Sequence, residues 1–152
     1  MAVKPIRLQL SRRKGFNLQA ASRAANGLDA VNVARPSKWG NPFVVSECRD
    51  AGFTGTDSEL AVRCVEAFRA WVDTPYWSEN WSGGESEARR AAIRAALQAL
   101  RGKNLACWCK LADQHGAYVP CHADVLLSLA NRLSCEEVRD ENLRRAKGEA
   151  VR

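Results

Sequence analysis

Two short stretches near the start of the chain carry the two-residue period of a β-strand. Ile6-Arg7-Leu8-Gln9-Leu10 alternates apolar and polar positions, and Val31-Asn32-Val33-Ala34 is short and β-branched. Ser11 to Gly15 between them reads as a basic turn. Arg35-Pro36-Ser37-Lys38-Trp39-Gly40-Asn41-Pro42-Phe43 has neither period. Its prolines fix φ, and Gly40 is expected to make a turn that most residues cannot.

From Thr56 the period becomes helical. Thr56 and Glu59 have capping-box spacing, and Leu60, Cys64, Phe68 and Trp71 form one buried stripe. Tyr76 to Gly84 is an aromatic, glycine-containing connector after Pro75. Ser82 and Glu85 then suit the cap of a second helix, with Ile93, Ala96, Leu97 and Leu100 inward and Gly102 at its end. Asn104 to Trp108 predicts a third strand. Cys121-His122 opens a third helix carrying Val125, Leu126, Leu129 and Ala130. Ser134 and Glu137 start a fourth helix, highly charged and weakly amphipathic, expected as a peripheral helix or a partly frayed tail.

Strands alternating with helices predict an α/β fold: a small, mostly parallel sheet of about three to four strands flanked by helices. A single domain over residues 1–131 and a charged C-terminal helix or tail over 132–152 are expected. Ligands of such sheets bind beyond the carboxyl ends of the strands. Two predicted strand ends feed conspicuous loops, Arg35 to Phe43 and Cys107-Trp108-Cys109, and Cys121-His122 should lie at the same edge.

Composition narrows the class. The 152 residues are 46% hydrophobic and 26% charged, ordinary globular values. No apolar run is long enough for a membrane span, and Met1 to Ile6 lacks a signal core, so a cytoplasmic protein is expected. Its six cysteines are then thiols, metal ligands or catalytic groups before disulfides. Residues 1–40 hold eight basic residues against Asp29 alone, a net 8 − 1 = +7 in a chain of net +6. Such a cluster suits a phosphate-bearing partner, either a small molecule or a nucleic acid; a solvated surface is the plainer alternative.

The cysteines near the third helix admit three readings. In the first, Cys107, Cys109, Cys121 and His122 hold zinc, with His115 as a replacement ligand. The spacing differs from that of zinc fingers, and adjacent Cys121 and His122 aim poorly at one ion. In the second, Cys121 is a nucleophile whose pKa the helix N-terminus lowers. His122 or His115 would serve as acid or base, with Asp124 as acid/base group or as the orienter of His122; a redox form cycles Cys109 and Cys121. In the third, the cysteines fill core, the preferred reading for Cys64 and adequate for Cys48 and Cys135. If the strand runs on through Cys109, both Cys107 and Cys109 face one side and Trp108 the core on the other.

Arg35 and Lys38 suit a phosphate clamp, and Asn41 a base, ribose or amide, against a plain turn role. Trp39, Trp77, Trp81 and Trp108 offer stacking faces, with core packing the alternative for each. No Walker loop, dinucleotide fingerprint or nucleophile elbow occurs.

Arg35-Pro36-x-x-Trp39-Gly40-Asn41-Pro42-Phe43, Gly102-Lys103-x-Leu105-Ala106-Cys107-Trp108-Cys109 and Pro120-Cys121-His122-Ala123-Asp124-Val125-Leu126 together resemble the domain-of-unknown-function family 4326. The opening Gln9-x-Ser11-Arg12-x-x-Gly15 matches as well, so the resemblance spans roughly residues 6–131. It implies a phage, prophage or bacterial setting and supports the choice of site positions, but implies no reaction. Two departures stand out: Ala34 replaces a common glycine, and Lys110 to Val119, with Asp113 and His115, is longer than usual.

The leading expectation is a nucleotide or nucleotide-derived ligand held by Arg35, Lys38, Trp39 and Asn41, with hydrolysis or group transfer by Cys121, His122 and Asp124. The alternatives are a zinc-stabilised, non-catalytic nucleic-acid-binding module and a phage or prophage interaction protein that uses its charged last helix against a protein partner.

Overall fold

The computed structural model describes residues 3–73 and 83–146. Three parallel strands, β1 (Arg7–Gln9), β2 (Ala30–Asn32) and β3 (Asn104–Cys107), form one sheet in the order β1-β3-β2. The fold is α/β. All four residues of β3 are buried, as the central strand of a sheet covered on both faces requires. The register pairs Arg7 and Val31 with Leu105, and Gln9 with Cys107, so these side chains share one face. Asn104 and Ala106 point to the other.

Helix α1 (Leu18–Asn26) covers the Asn104 face. Its contact with the sheet is polar. Ser22 is the buried residue of the helix, and Asn104 Nδ2 donates to Ser22 Oγ (2.8 Å) and Asn26 Oδ1 (2.7 Å). The Gln19 side-chain amide bonds both backbone groups of Ala30, at 2.8 and 2.9 Å. Phe16 and Leu18 of this segment pack on the core, but its bonds to the strands come from polar side chains.

The short α2 (Val45–Asp50) leads to α3 (Asp57–Asp73), whose expected capping box forms: Glu59 N–H donates to Thr56 Oγ1 at 3.2 Å. Leu60, Cys64, Phe68 and Trp71 are buried along it, as the stripe predicts. Helix α4 (Gly83–Ala96) runs into a 3-10 turn (Leu97–Leu100), with Ile93 and Leu100 in the core. The expected Ser82–Glu85 cap and the connector with Trp77 and Trp81 lie outside the described residues and side chains. Helix α5 (His122–Asn131) packs on the Leu105 face and buries Val125, Leu126 and Leu127 beside Phe68 and Trp71.

Helix α6 (Cys135–Ala146) is more than a peripheral charged helix. Val138 joins the core, and Asn142 Oδ1 accepts the Arg7 backbone N–H at 2.7 Å, covering part of the open edge of β1. Among the described residues no helix is long and apolar enough to cross a membrane.

The loop after β2 is pinned rather than merely stiff. Asn41 Nδ2 donates to the Cys64 carbonyl (3.1 Å), Asn41 Oδ1 accepts from Phe43 N–H (2.9 Å), and Arg89 donates to the Gly40 carbonyl (2.9 Å). Gly40 serves here by close approach, not by a left-handed turn: its φ lies outside that region, and a Cβ would stand 2.7 Å from Arg35 Cγ and 3.1 Å from Arg35 Cα.

Candidate functional site

The carboxyl ends of the three strands lead into Ser11–Arg13, Val33–Arg35 and Cys107–Cys109, and α5 begins at the same edge. Between β3 and α5 the chain makes a small self-bonded hairpin. Ala112 pairs with Tyr118, and Asp113 accepts backbone N–H bonds from His115 (2.8 Å) and Ala117 (2.9 Å). The extra length of this segment therefore folds on itself and returns Cys121 to β3.

Three sulfurs converge there. Cys107 Sγ lies 3.0 Å from Cys121 Sγ, and the sulfurs of Cys107, Cys109 and Cys121 all lie within 4.8 Å of one another. Cys107 and Cys121 are each 1% exposed, whereas Cys109 is exposed. The strand ends at Cys107, so Cys109 reaches the cluster from the loop rather than by strand alternation. Trp108 is 46% exposed, not in the core as expected, and the Arg12 guanidinium lies 4.8 Å above its ring.

Beneath the sulfurs sits a buried polar hub. Arg7 is 1% exposed and donates to Asp124 Oδ2 (3.0 Å), the Val119 carbonyl (2.7 Å) and the Lys110 carbonyl (3.2 Å). Asp124 also accepts from Tyr118 Oη (2.8 Å), Cys121 N–H (3.2 Å) and Asn142 Nδ2 (3.2 Å). One guanidinium thus ties β1 to both ends of the hairpin that separates Cys109 from Cys121. Sequence reading missed Arg7, Tyr118 and Asn142. A signal existed: the polar face of a strand in a sheet covered on both sides is an interior face too.

The electrostatics follow from this packing. Burial disfavours the Arg7 cation, but Asp124 and the neighbouring Tyr118 and cysteines more than offset it and push its pKa up. Burial pushes the Asp124 carboxyl up, against the pull of Arg7 and its hydrogen bonds. Among the thiols, hydrogen bonds from Cys107 and Cys121, helped by Arg7, hold Cys109 well below the usual thiol range. Giving those bonds pushes Cys107 up, and Cys121 is pushed up by its bonds to both partners and by burial. Burial and the two neighbouring sulfurs thus push Cys121 up, against the lowering expected from its place at a helix N-terminus.

His122 is buried; its Nε2–H donates to the Val33 carbonyl at 2.8 Å, and Phe68 packs edge-on against its ring. Burial lowers its pKa. Its Nδ1 lies 3.5 Å from Cys121 Sγ, but His122 does not join the converging set. His115 is exposed in the hairpin beside Gln114. Arg35 and Lys38 are exposed; Lys38 Nζ stands 5.0 Å above the ring of Trp39, which is itself buried, and Arg35 donates to the Asn41 carbonyl. Asn41 is occupied by the loop and α3 as described.

The family model for a domain of unknown function (DUF4326) matches residues 16–132, and the chain belongs to that family. No curated protein and no solved structure matches it.

Proposed function

We propose that this family member binds a phosphate-bearing nucleotide at the carboxyl edge of its sheet, across Trp108 and the loops that leave the three strands. What carries the reading is where the charge of the first forty residues goes. Of eight cations, Arg7 is paired with Asp124 inside, Arg23 with Asp29 and Lys4 with Glu137 on the surface. The remaining 8 − 3 = 5, Arg12, Arg13, Lys14, Arg35 and Lys38, are exposed, in no ion pair with a described residue, and all on loops leaving β1 and β2. Lys110, after β3, adds a sixth, and residues 10–16, 33–44 and 107–112 contain no acidic residue. An edge so charged attracts phosphate. Trp108, with Arg12 on one part of its surface, supplies a face for a base.

In this reading the roles divide differently. Arg35 and Lys38 remain phosphate contacts. Asn41 and Trp39 shape the loop. His122 and Asp124 are engaged in holding the fold, so hydrolysis or group transfer at this edge falls to the cysteine cluster, whose exposed member is Cys109.

The test is fluorescence polarisation with labelled mononucleotides and with labelled single-stranded DNA. Micromolar or tighter mononucleotide binding, weakened about 5- to 100-fold by Trp108→Ala and by Arg12→Ala, supports the reading. Binding of oligonucleotides alone, falling steeply with salt, replaces it with a nucleic-acid-binding module. Wild-type affinity in both variants refutes the site.

A further inference from the structure

We propose that Cys107, Cys109 and Cys121 together bind one zinc ion and leave its fourth position open toward the basic edge. The proposal goes beyond nucleotide binding and does not depend on it.

Three soft donors meet from two separate segments, the end of β3 and the start of α5. Tetrahedral zinc at about 2.3 Å from each sulfur places those sulfurs about 3.8 Å apart. All three are already within 4.8 Å of one another, and the tightest pair, Cys107 and Cys121, is at 3.0 Å. Seating the ion parts that pair by under an ångström, within what side-chain torsions supply. A disulfide between Cys107 and Cys121 is the competing outcome, but it strands the third sulfur and gives no reason for Cys109 to turn back into the cluster.

The surroundings fit an anionic metal–thiolate centre. Three thiols release three protons to solvent, and Zn(II) with three thiolates carries a net charge of −1. The Arg7 cation stands beside the cluster, and its buried Nε has no hydrogen-bond partner among the described residues. Hydrogen bonds from such a neighbour orient metal-bound ligands and tune the ion.

The fourth position is open for two reasons. Among the described residues no further Cys, His, Asp or Glu atom joins the three sulfurs. His122 gives Nε2–H to the Val33 carbonyl and keeps Nδ1 3.5 Å from Cys121 Sγ, outside the converging set, so it is the protein group that competes with water for that position. Cys109 is exposed, so an ion on these sulfurs is reached from solvent on the side where Arg12 and Trp108 stand. Three protein ligands plus a water is the coordination of catalytic rather than structural zinc.

The experiment uses the full chain, reduced and without a histidine tag. Metal content is read by native mass spectrometry, and Co(II) replaces zinc as a spectroscopic probe. Expected are one ion per chain, sulfur-to-cobalt charge transfer, and tetrahedral ligand-field bands that shift on adding azide or inorganic phosphate. Cys109→Ser should weaken zinc binding at least tenfold, while Cys135→Ser, outside the cluster, should leave it unchanged. No ion bound by the reduced wild type overturns the proposal, as does undiminished affinity in Cys109→Ser. Bands indifferent to azide and phosphate overturn the open position. Nucleotide is absent throughout, so failure here is separate from failure of nucleotide binding.

Discussion

Replacing Arg7 with Met removes a cation from the interior and leaves its partners behind. Arg7→Met keeps much of the apolar volume but deprives Asp124 of its ion pair and the Val119 and Lys110 carbonyls of their donor. Removing one member of a buried pair typically costs about 3–5 kcal/mol. In a chain of this size each kcal/mol moves Tm by about 2–4 °C, so a fall of roughly 6–20 °C is expected. The loss has a pH signature. Burial already raises the Asp124 carboxyl above its usual 3.8, and losing the cation raises it further. The folded variant then holds a proton that the unfolded chain releases, so its stability falls as pH rises from about 4 through the raised folded value. Denaturant melts at several pH values measure this. Asp124→Asn on top of Arg7→Met should restore part of the stability and flatten the pH dependence. A deficit under about 1 kcal/mol, or one independent of pH, would show that the Arg7–Asp124 pair behaves like a surface ion pair and refute its role as the anchor of the hairpin.

Gly40→Ala should cost about 1–3 kcal/mol, because two of the atoms nearest the new Cβ, Arg35 Cα and the Ser37 carbonyl oxygen, are backbone and yield only by distorting the loop; thermal melts decide. Trp108→Ala should change stability by less than about 0.5 kcal/mol, since the ring lies outside the core, while still weakening nucleotide binding. The Glu137 carboxyl is held below its usual value by the Ser134 backbone N–H and by Lys4. Its contribution is present above the unfolded value and lost as pH falls through the lower folded one, so Glu137→Gln should lower stability slightly at neutral pH, leave it unchanged in acid, and so flatten part of the acid limb of a pH–stability curve.

The strands, α3, α5 and the convergence of three cysteines at one edge were legible because each rests on a short-range rule: alternation, a capping box, a helical stripe, the carboxyl-end location of ligands. Legibility stopped where polar groups do the packing. Helix α1 meets the sheet through Gln19, Ser22 and Asn26, residue types that a hydrophobic stripe does not register. Arg7 counted as part of a basic cluster, and only the second covered face of the sheet makes it interior. Asp124 looked like an acid/base group or the orienter of His122. Its partners at positions 7, 118 and 142 are set by tertiary structure. Trp108 went astray for a smaller reason: the strand stops at Cys107, so the alternation that assigned it a face no longer applies.

The same hub says which stretch of chain makes a working unit. The family match over residues 16–132 contains all three clustered cysteines, Tyr118 and Asp124, but neither Arg7 nor Asn142. A piece cut at those limits loses β1 and α6, leaves β3 with one neighbour, and strands the Asp124 carboxyl with Tyr118 and Cys121 N–H as its described partners. The hairpin would then be held to the sheet without its guanidinium. The charged last helix therefore spends one face inside its own domain, through Val138 and Asn142, whatever its outer face meets. Site and fold are coupled through the two ends of the described chain, so a test of metal or nucleotide binding on residues 16–132 alone would measure the loss of that coupling rather than the chemistry of the cysteines.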